Sequence, residues 1–176
     1  GMVKNTRFGH LAGQNLQSGG THNVLIGEEA GAALTTGDKN VAMGVEALTT
    51  ETGGQNNVAI GYASLTDNTT GTSNVALGSF ALYDNTTGDQ NVALGQNALQ
   101  ANTTANNNTA VGMSALYANT TGASNSALGV SSLQANTTGA NNTAVGQDAL
   151  YANTTADNNT AIGKGAMVAN TTGTLN

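Results

Sequence analysis

Few side chains in this chain are equipped for chemistry. His10 and His22 are the two histidines, and both lie before the regular part of the sequence. Neither has a serine–aspartate pair or a ligand spacing that would make a nucleophile or a metal site. Glu28 and Glu29 are adjacent. Neighbours in a turn read as a solvated pair rather than as an acid and a base facing one substrate. Without cysteine there is no disulfide and no thiolate site, and this leaves the compartment open. We therefore expect no enzyme, no cofactor and no metal.

Three further residue classes recur with spacing. Asn-Thr-Thr runs begin at Asn68, Asn85, Asn102, Asn119, Asn136, Asn153 and Asn170. They match the N-glycosylation sequon, but a repeated turn explains them more simply. A threonine column, Thr35, Thr52, Thr69, Thr86, Thr103, Thr120, Thr137, Thr154 and Thr171, offers a hydroxyl ladder. Such a ladder either satisfies backbone groups or, on a flat face, orders water as in an ice-binding solenoid. Adjacent strand residues face opposite ways, which counts against the second reading. Tyr83, Tyr117 and Tyr151 form a third column, with Gln100 and Gln134 between them. Exposed rings two coils apart would give a partner-binding surface; alternatively they cover the leucine row beneath.

The element that must carry these columns is a repeat. Asn recurs at 23, 40, 57, 74, 91, 108, 125, 142 and 159, always 17 residues apart, with Gly four residues after each. A looser copy, one residue longer, begins at Asn5. The consensus is N-[VT]-A-[ILV]-G-x-x-A-L-x-x-N-T-T-G-x-x. In Asn57–Gly61, Val58 and Ile60 point one way and Ala59 the other, so both faces of a short strand are apolar and both should be covered. Leu25 is the one departure from Ala in the nine regular copies. Seventeen residues are too few for a strand, a proper helix and two turns, so Ala81–Asp84 reads as a second strand. In the Asn-Thr-Thr-Gly turn, Asn and Gly supply left-handed backbone, although Ala105 and Ala156 replace that Gly.

The sequence thus predicts an all-β parallel β-solenoid of about ten 17-residue coils with two short strands each. Stacked at about 4.8 Å per coil it makes a rod of roughly 48 Å, with like residues laddered on like. Hexapeptide helices, calcium-binding nonapeptide rolls and leucine-rich repeats fit the spacing less well. The low hydrophobicity and 3% aromatic content favour disorder, but the strict apolar recurrence argues against it. Residues 1–4 read as a tag remnant and lead-in, 5–22 as an irregular first coil and 23–175 as regular coils, together one repeat domain at 5–176. Ending on a repeat boundary without a cap, the chain reads as a fragment of a longer fibre or adhesin. Only four Lys and Arg against ten Asp and Glu argue against nucleic acid, and no apolar stretch approaches the roughly 20 residues of a membrane span.

The pentapeptides NVAIG (Asn57–Gly61), NVALG (Asn74–Gly78 and Asn91–Gly95), NVAMG (Asn40–Gly44) and NTAIG (Asn159–Gly163) resemble the signature of YadA-like head domains of trimeric autotransporter adhesins, with related repeats in phage-type tail fibres. The resemblance implies a left-handed parallel β-roll in a homotrimer. It implies that Val58 and Ile60 fill the roll of their own chain. It also implies that Ala42, Ala59, Ala76, Ala93, Ala110, Ala127, Ala144 and Ala161 approach the neighbouring chains. The implied function is attachment at a bacterial surface or virion tail to a host cell, matrix protein or glycan. A passive spacer, or an ice-binding solenoid using the Thr ladder, are the alternatives. The 17-residue period departs from the shorter family repeat, with the extra residues around Asn-Thr-Thr-Gly.

Overall fold

A computed structural model describes residues 4–176; the Gly1-Met2 tag reading lies outside the described residues. Ten three-residue strands follow one another: β1 (Thr6–Phe8), β2 (Val24–Ile26), β3 (Val41–Met43), β4 (Val58–Ile60), β5 (Val75–Leu77), β6 (Val92–Leu94), β7 (Thr109–Val111), β8 (Ser126–Leu128), β9 (Thr143–Val145) and β10 (Thr160–Ile162). They form one parallel sheet in sequence order. Each residue pairs with the one 17 further on, as Ala59 does with Ala76. Only the β1–β2 step is 18, with Thr6 opposite Val24, because the first coil is one residue longer. The chain is a parallel β-solenoid with one sequence repeat per turn, and no helix is present among the described residues.

Each strand is stopped by the invariant Gly. Gly61 has φ +137°, and a Cβ there would stand 2.7 Å from the carbonyl carbon of Gly78 in the next coil. Backbone in that region is all but closed to other residues, and the stacked coils leave no room for a side chain. This is why the column from Gly27 to Gly163 carries no exception.

The second strand does not form, so there is one strand per coil. In Phe80–Asp84 the backbone is left-handed at Phe80 (φ 58°) and Leu82 (φ 51°), and the same two positions are left-handed in most coils. Two such residues, one apart, fold the chain too sharply for an extended segment. Its amides nonetheless pair between coils: Phe80 donates to the Tyr62 carbonyl at 3.0 Å, and Leu82 to that of Ala98 at 3.0 Å. Inter-coil bonding therefore continues around the turn without strand geometry. The Asn-Thr-Thr-Gly turn also differs from expectation. Neither Asn85 nor Gly88 is left-handed; the residue before each repeat Asn is, such as Ser73 (φ 59°) and Gln90 (φ 58°).

The core is a column of strand alanines joined by a second Ala or Ser column and by Leu48, Leu65, Leu82, Leu99, Leu116, Leu133 and Leu150, all fully buried. The strand alanines thus lie inside their own chain. That reverses the orientation expected from the resemblance. Ala59 is completely buried, whereas Val58 and Ile60 are only half-buried on the outer face. Ala42, Ala76, Ala93, Ala110, Ala127, Ala144 and Ala161 are buried in the same way. They offer no surface to another chain. A narrow coil explains this: facing walls leave room for a methyl group opposite a leucine, not for two large side chains.

The exceptional Leu25 fits the same rule. Coil two has Gly31 where the next seven coils have Leu, and a Cβ at Gly31 would meet Leu25 Cδ2 at 2.8 Å. A Cβ at Gly13, the equivalent position one coil earlier, would meet Leu25 Cδ1 at 2.5 Å. Leu25 reaches across and fills the space from the opposite wall.

Two asparagine ladders close the coil. In the first, the backbone N–H of Asn74 donates to Asn57 Oδ1 at 2.9 Å, while Asn74 Nδ2 donates to the Gly88 carbonyl at 2.7 Å. In the second, Asn85 Nδ2 donates to Asn68 Oδ1 at 2.7 Å and to the same Gly88 carbonyl at 3.1 Å. Two amides from opposite ends of the turn converge on one carbonyl. Only an amide side chain donates and accepts in this way, which explains the strictness of the Asn columns. No buried polar side-chain atom among the described residues lacks a partner.

Candidate functional surface

The two histidines are placed separately. His10 Nδ1 lies 3.8 Å from Glu28 Oε1, with both side chains well exposed. His22 Nδ1 lies 3.0 Å from the Thr21 hydroxyl. Among the described residues no three potential metal-ligating side chains come together, and there is no cavity.

The seven Asn-Thr-Thr asparagines are the second ladder. From Asn68 to Asn153 they are fully buried and hydrogen-bonded. A buried amide is no acceptor for a glycan on the folded chain, and turn chemistry accounts for these residues. The first Thr of each run sends its hydroxyl to the carbonyl of the equivalent Thr in the next coil, as Thr69 does to Thr86 at 3.0 Å. The hydroxyl ladder thus serves the backbone.

The tyrosine column divides. Tyr117 and Tyr151 are 37% and 40% exposed and touch no other ring. Tyr83 is more covered and belongs to a three-ring cluster. Its ring lies 5.7 Å from that of Phe80 at 60°, and Phe80 lies 5.3 Å from Tyr62 at 84°. These are edge-to-face arrangements, the favoured geometry for aromatic pairs. Tyr62, Phe80 and Tyr83 escape a reading by columns because they occupy three different positions of the repeat. Tyr62 meets Phe80 diagonally from the neighbouring coil, while Phe80 and Tyr83 share one coil.

Around the cluster stand carboxylates. Asp67 donates its backbone N–H to the Tyr83 carbonyl at 3.0 Å, and Asp84 follows Tyr83 in sequence. The Asp67 charge, then burial, then the charges of Asp84 and Glu46 push the Tyr83 hydroxyl above the usual phenol value. Burial, followed by the Asp67 charge, raises Asp84. Elsewhere three aspartates have structural work. Asp38 Oδ1 accepts the Thr21 backbone N–H at 2.7 Å, and this bond holds its carboxyl below the ordinary range. Asp89 and Asp157 accept the N–H groups of Thr72 and Ala140.

Glu51 is a separate case. It takes the place of the Asn that would precede Asn68 in the second ladder and is fully buried. Its carboxyl accepts from the Gly54 N–H and from Asn68 Nδ2. Burial outweighs these bonds and raises it to about 7.

The outer face of the sheet carries a run of exposed apolar side chains. Met43, Leu77, Leu128 and Ile162 are exposed there, and Ile26, Ile60, Leu94, Val111 and Val145 continue the same column half-buried. Beside it runs Val24, Val41, Val58, Val75 and Val92, which becomes Thr109, Ser126, Thr143 and Thr160 in later coils. No family model matches this chain, and no curated protein or solved structure matches it.

Proposed function

We propose that the chain is an adhesive head segment of a trimeric surface projection, built to attach its bearer to a host cell, matrix protein or glycan. The observation that carries the reading is the outer sheet face. A column of Ile, Leu, Met and Val runs from β2 to β10, and its own chain leaves every member exposed or only half-buried. Continuous exposed apolar strips mark association surfaces, and identical parallel rods bury such strips most simply against copies of themselves. The pentapeptide resemblance supports a homotrimer with a left-handed roll. In that trimer the Val and Ile columns, not the alanines, face the other chains. The turn segments stay outside and repeat on three sides, so weak contacts gain avidity without strong individual binding. Such a projection is extracellular, on a bacterial surface or a virion tail, and its role involves no catalytic step.

The test is the solution mass by light scattering after gel filtration. The expected value is about three times the 17.4 kDa of the chain. A stable mass of one chain would overturn the trimer. Val58→Lys with Ile60→Lys should break the trimer into monomers, because two cations on a central coil resist burial between apolar columns.

A further inference from the structure

Four of the ten acidic residues have no hydrogen-bonding or ionic partner for their carboxylates among the described residues: Glu29, Glu46, Asp67 and Asp84. Three of these four stand by the aromatic rings: Asp84 follows Tyr83, Asp67 donates its backbone N–H to the Tyr83 carbonyl at 3.0 Å, and Glu46 lies in the Phe80 column two coils earlier. Half of the six aromatic side chains of the protein, Tyr62, Phe80 and Tyr83, stand at the same place. Neither gathering is needed by the repeat, since other coils fold with Gln, Ser or Asn at the equivalent ring positions. Unpaired carboxylates beside ring faces are complementary to organic cations, which gain from both the charge and the quadrupole.

We propose that Tyr62, Phe80 and Tyr83, with Glu46, Asp67 and Asp84, form a docking patch for a basic polypeptide segment of the attachment partner, its Lys or Arg side chains resting on the rings between the carboxylates. The inference deepens the attachment reading and rests on it. A polypeptide is the occupant because the surface has no cavity to enclose a small cation, while the acids span three successive coils, a length suited to several cationic side chains in a row. The two readings fail separately: a monomeric mass overturns the trimer but not a patch carried on neighbouring coils of one chain.

The test is titration of the full chain with a fluorescent decalysine peptide at low and physiological salt, with decaglutamate as the reference. Two variants carry equal charge changes. Glu46→Gln/Asp67→Asn/Asp84→Asn and Glu28→Gln/Glu29→Gln/Asp148→Asn each move the net charge from −6 to −3. The patch variant should lose about tenfold in affinity and the control about twofold or less, because short-range pairs outlast screening while distant ones do not. Tyr62→Leu, which keeps apolar bulk and removes the ring, should weaken binding about threefold. Equal losses in the two charge variants, an unchanged Tyr62→Leu, or no binding above the decaglutamate level would each overturn the proposal. Circular dichroism of each variant confirms the fold; should the triple patch variant be unfolded, Asp67→Asn alone must still weaken binding.

Discussion

At the scale of single residues, Glu51 shows how a ladder ends. Each Asn of the second ladder sends Nδ2 to the Oδ1 of the coil before, so the first member, Asn68, needs an acceptor below it. Glu51 supplies one, and Leu34 one coil earlier makes no demand. The aligned amides point their N–H ends at Glu51, much as a helix presents its N–H groups at the N-terminus. Burial nonetheless dominates, and the folded value of about 7 lies above the ordinary 4.5. A group whose value is raised on folding stabilises most when protonated. Its contribution is complete below about pH 4.5 and is lost as pH rises through about 7. Between pH 4.5 and pH 8 the chain should lose up to about 3 kcal/mol of stability from this residue. Glu51→Asn, which restores the column's own residue, should abolish that dependence while keeping the fold. Denaturant unfolding of both proteins across this range checks it, and an equal pH dependence in the variant would refute it. The identity of Glu51 is plain in the sequence, yet its burial is not. Only the column of asparagines after it, seen to be internal, reveals that a carboxyl stands in a dry place.

At the scale of one coil, the period, the Asn and Gly columns and the strand triplet could be read directly from spacing. Two things could not. Alternation in Val58-Ala59-Ile60 identifies two apolar faces without saying which is inside, and a face limited to Ala signals close packing without naming the neighbour. The neighbour is the Leu column of the same chain. The second failure lay in Ala81–Asp84, where a short apolar run looks like a strand. Leucine in left-handed backbone carries a cost of about 1–2 kcal/mol per residue, so sequence preference points away from it. Stacking on identical coils overrides that preference, since in this bend the amides of both left-handed residues pair with neighbouring coils, as at Phe80 and Leu82. The Leu25–Gly31 exchange makes the packing rule testable. Leu25→Ala should cost about 2–5 kcal/mol through the cavity it opens. Gly31→Leu alone should also destabilise, for want of space. The double variant should recover much of the loss, because it recreates the pattern of Ala42 with Leu48, and the backbone at Gly31 (φ 60°) already matches that at Leu48 (φ 57°). Additive losses in thermal unfolding would show that the two sites do not share one space.

At the scale of the whole molecule, the repeat makes the structure nearly one-dimensional. Strands contact only the strands before and after them, so stability grows coil by coil and a coil can be removed if its neighbours still match. The match is strict in phase. Deleting residues 108–141 removes β7 and β8 and brings Asn142 to the place of Asn108, leaving both Asn ladders, the Gly column and the Leu column unbroken. That variant should fold, with unchanged circular dichroism per residue and a lower unfolding midpoint. Deleting residues 108–137 instead shifts every column by four positions, setting side chains where the Gly column admits none and stranding buried amides without carbonyls. It should fail to form a cooperative unit. The pair also separates the functional readings, because the in-phase deletion leaves coils three to five and the patch around Tyr83 intact. A partner held by that patch alone would bind the shortened rod as before. One held by repeated turns along the whole rod would bind it more weakly, in proportion to the two coils lost. Retained folding of the out-of-phase variant would mean that the coils tolerate mismatch, and the strict 17-residue spacing would then need a cause other than stacking.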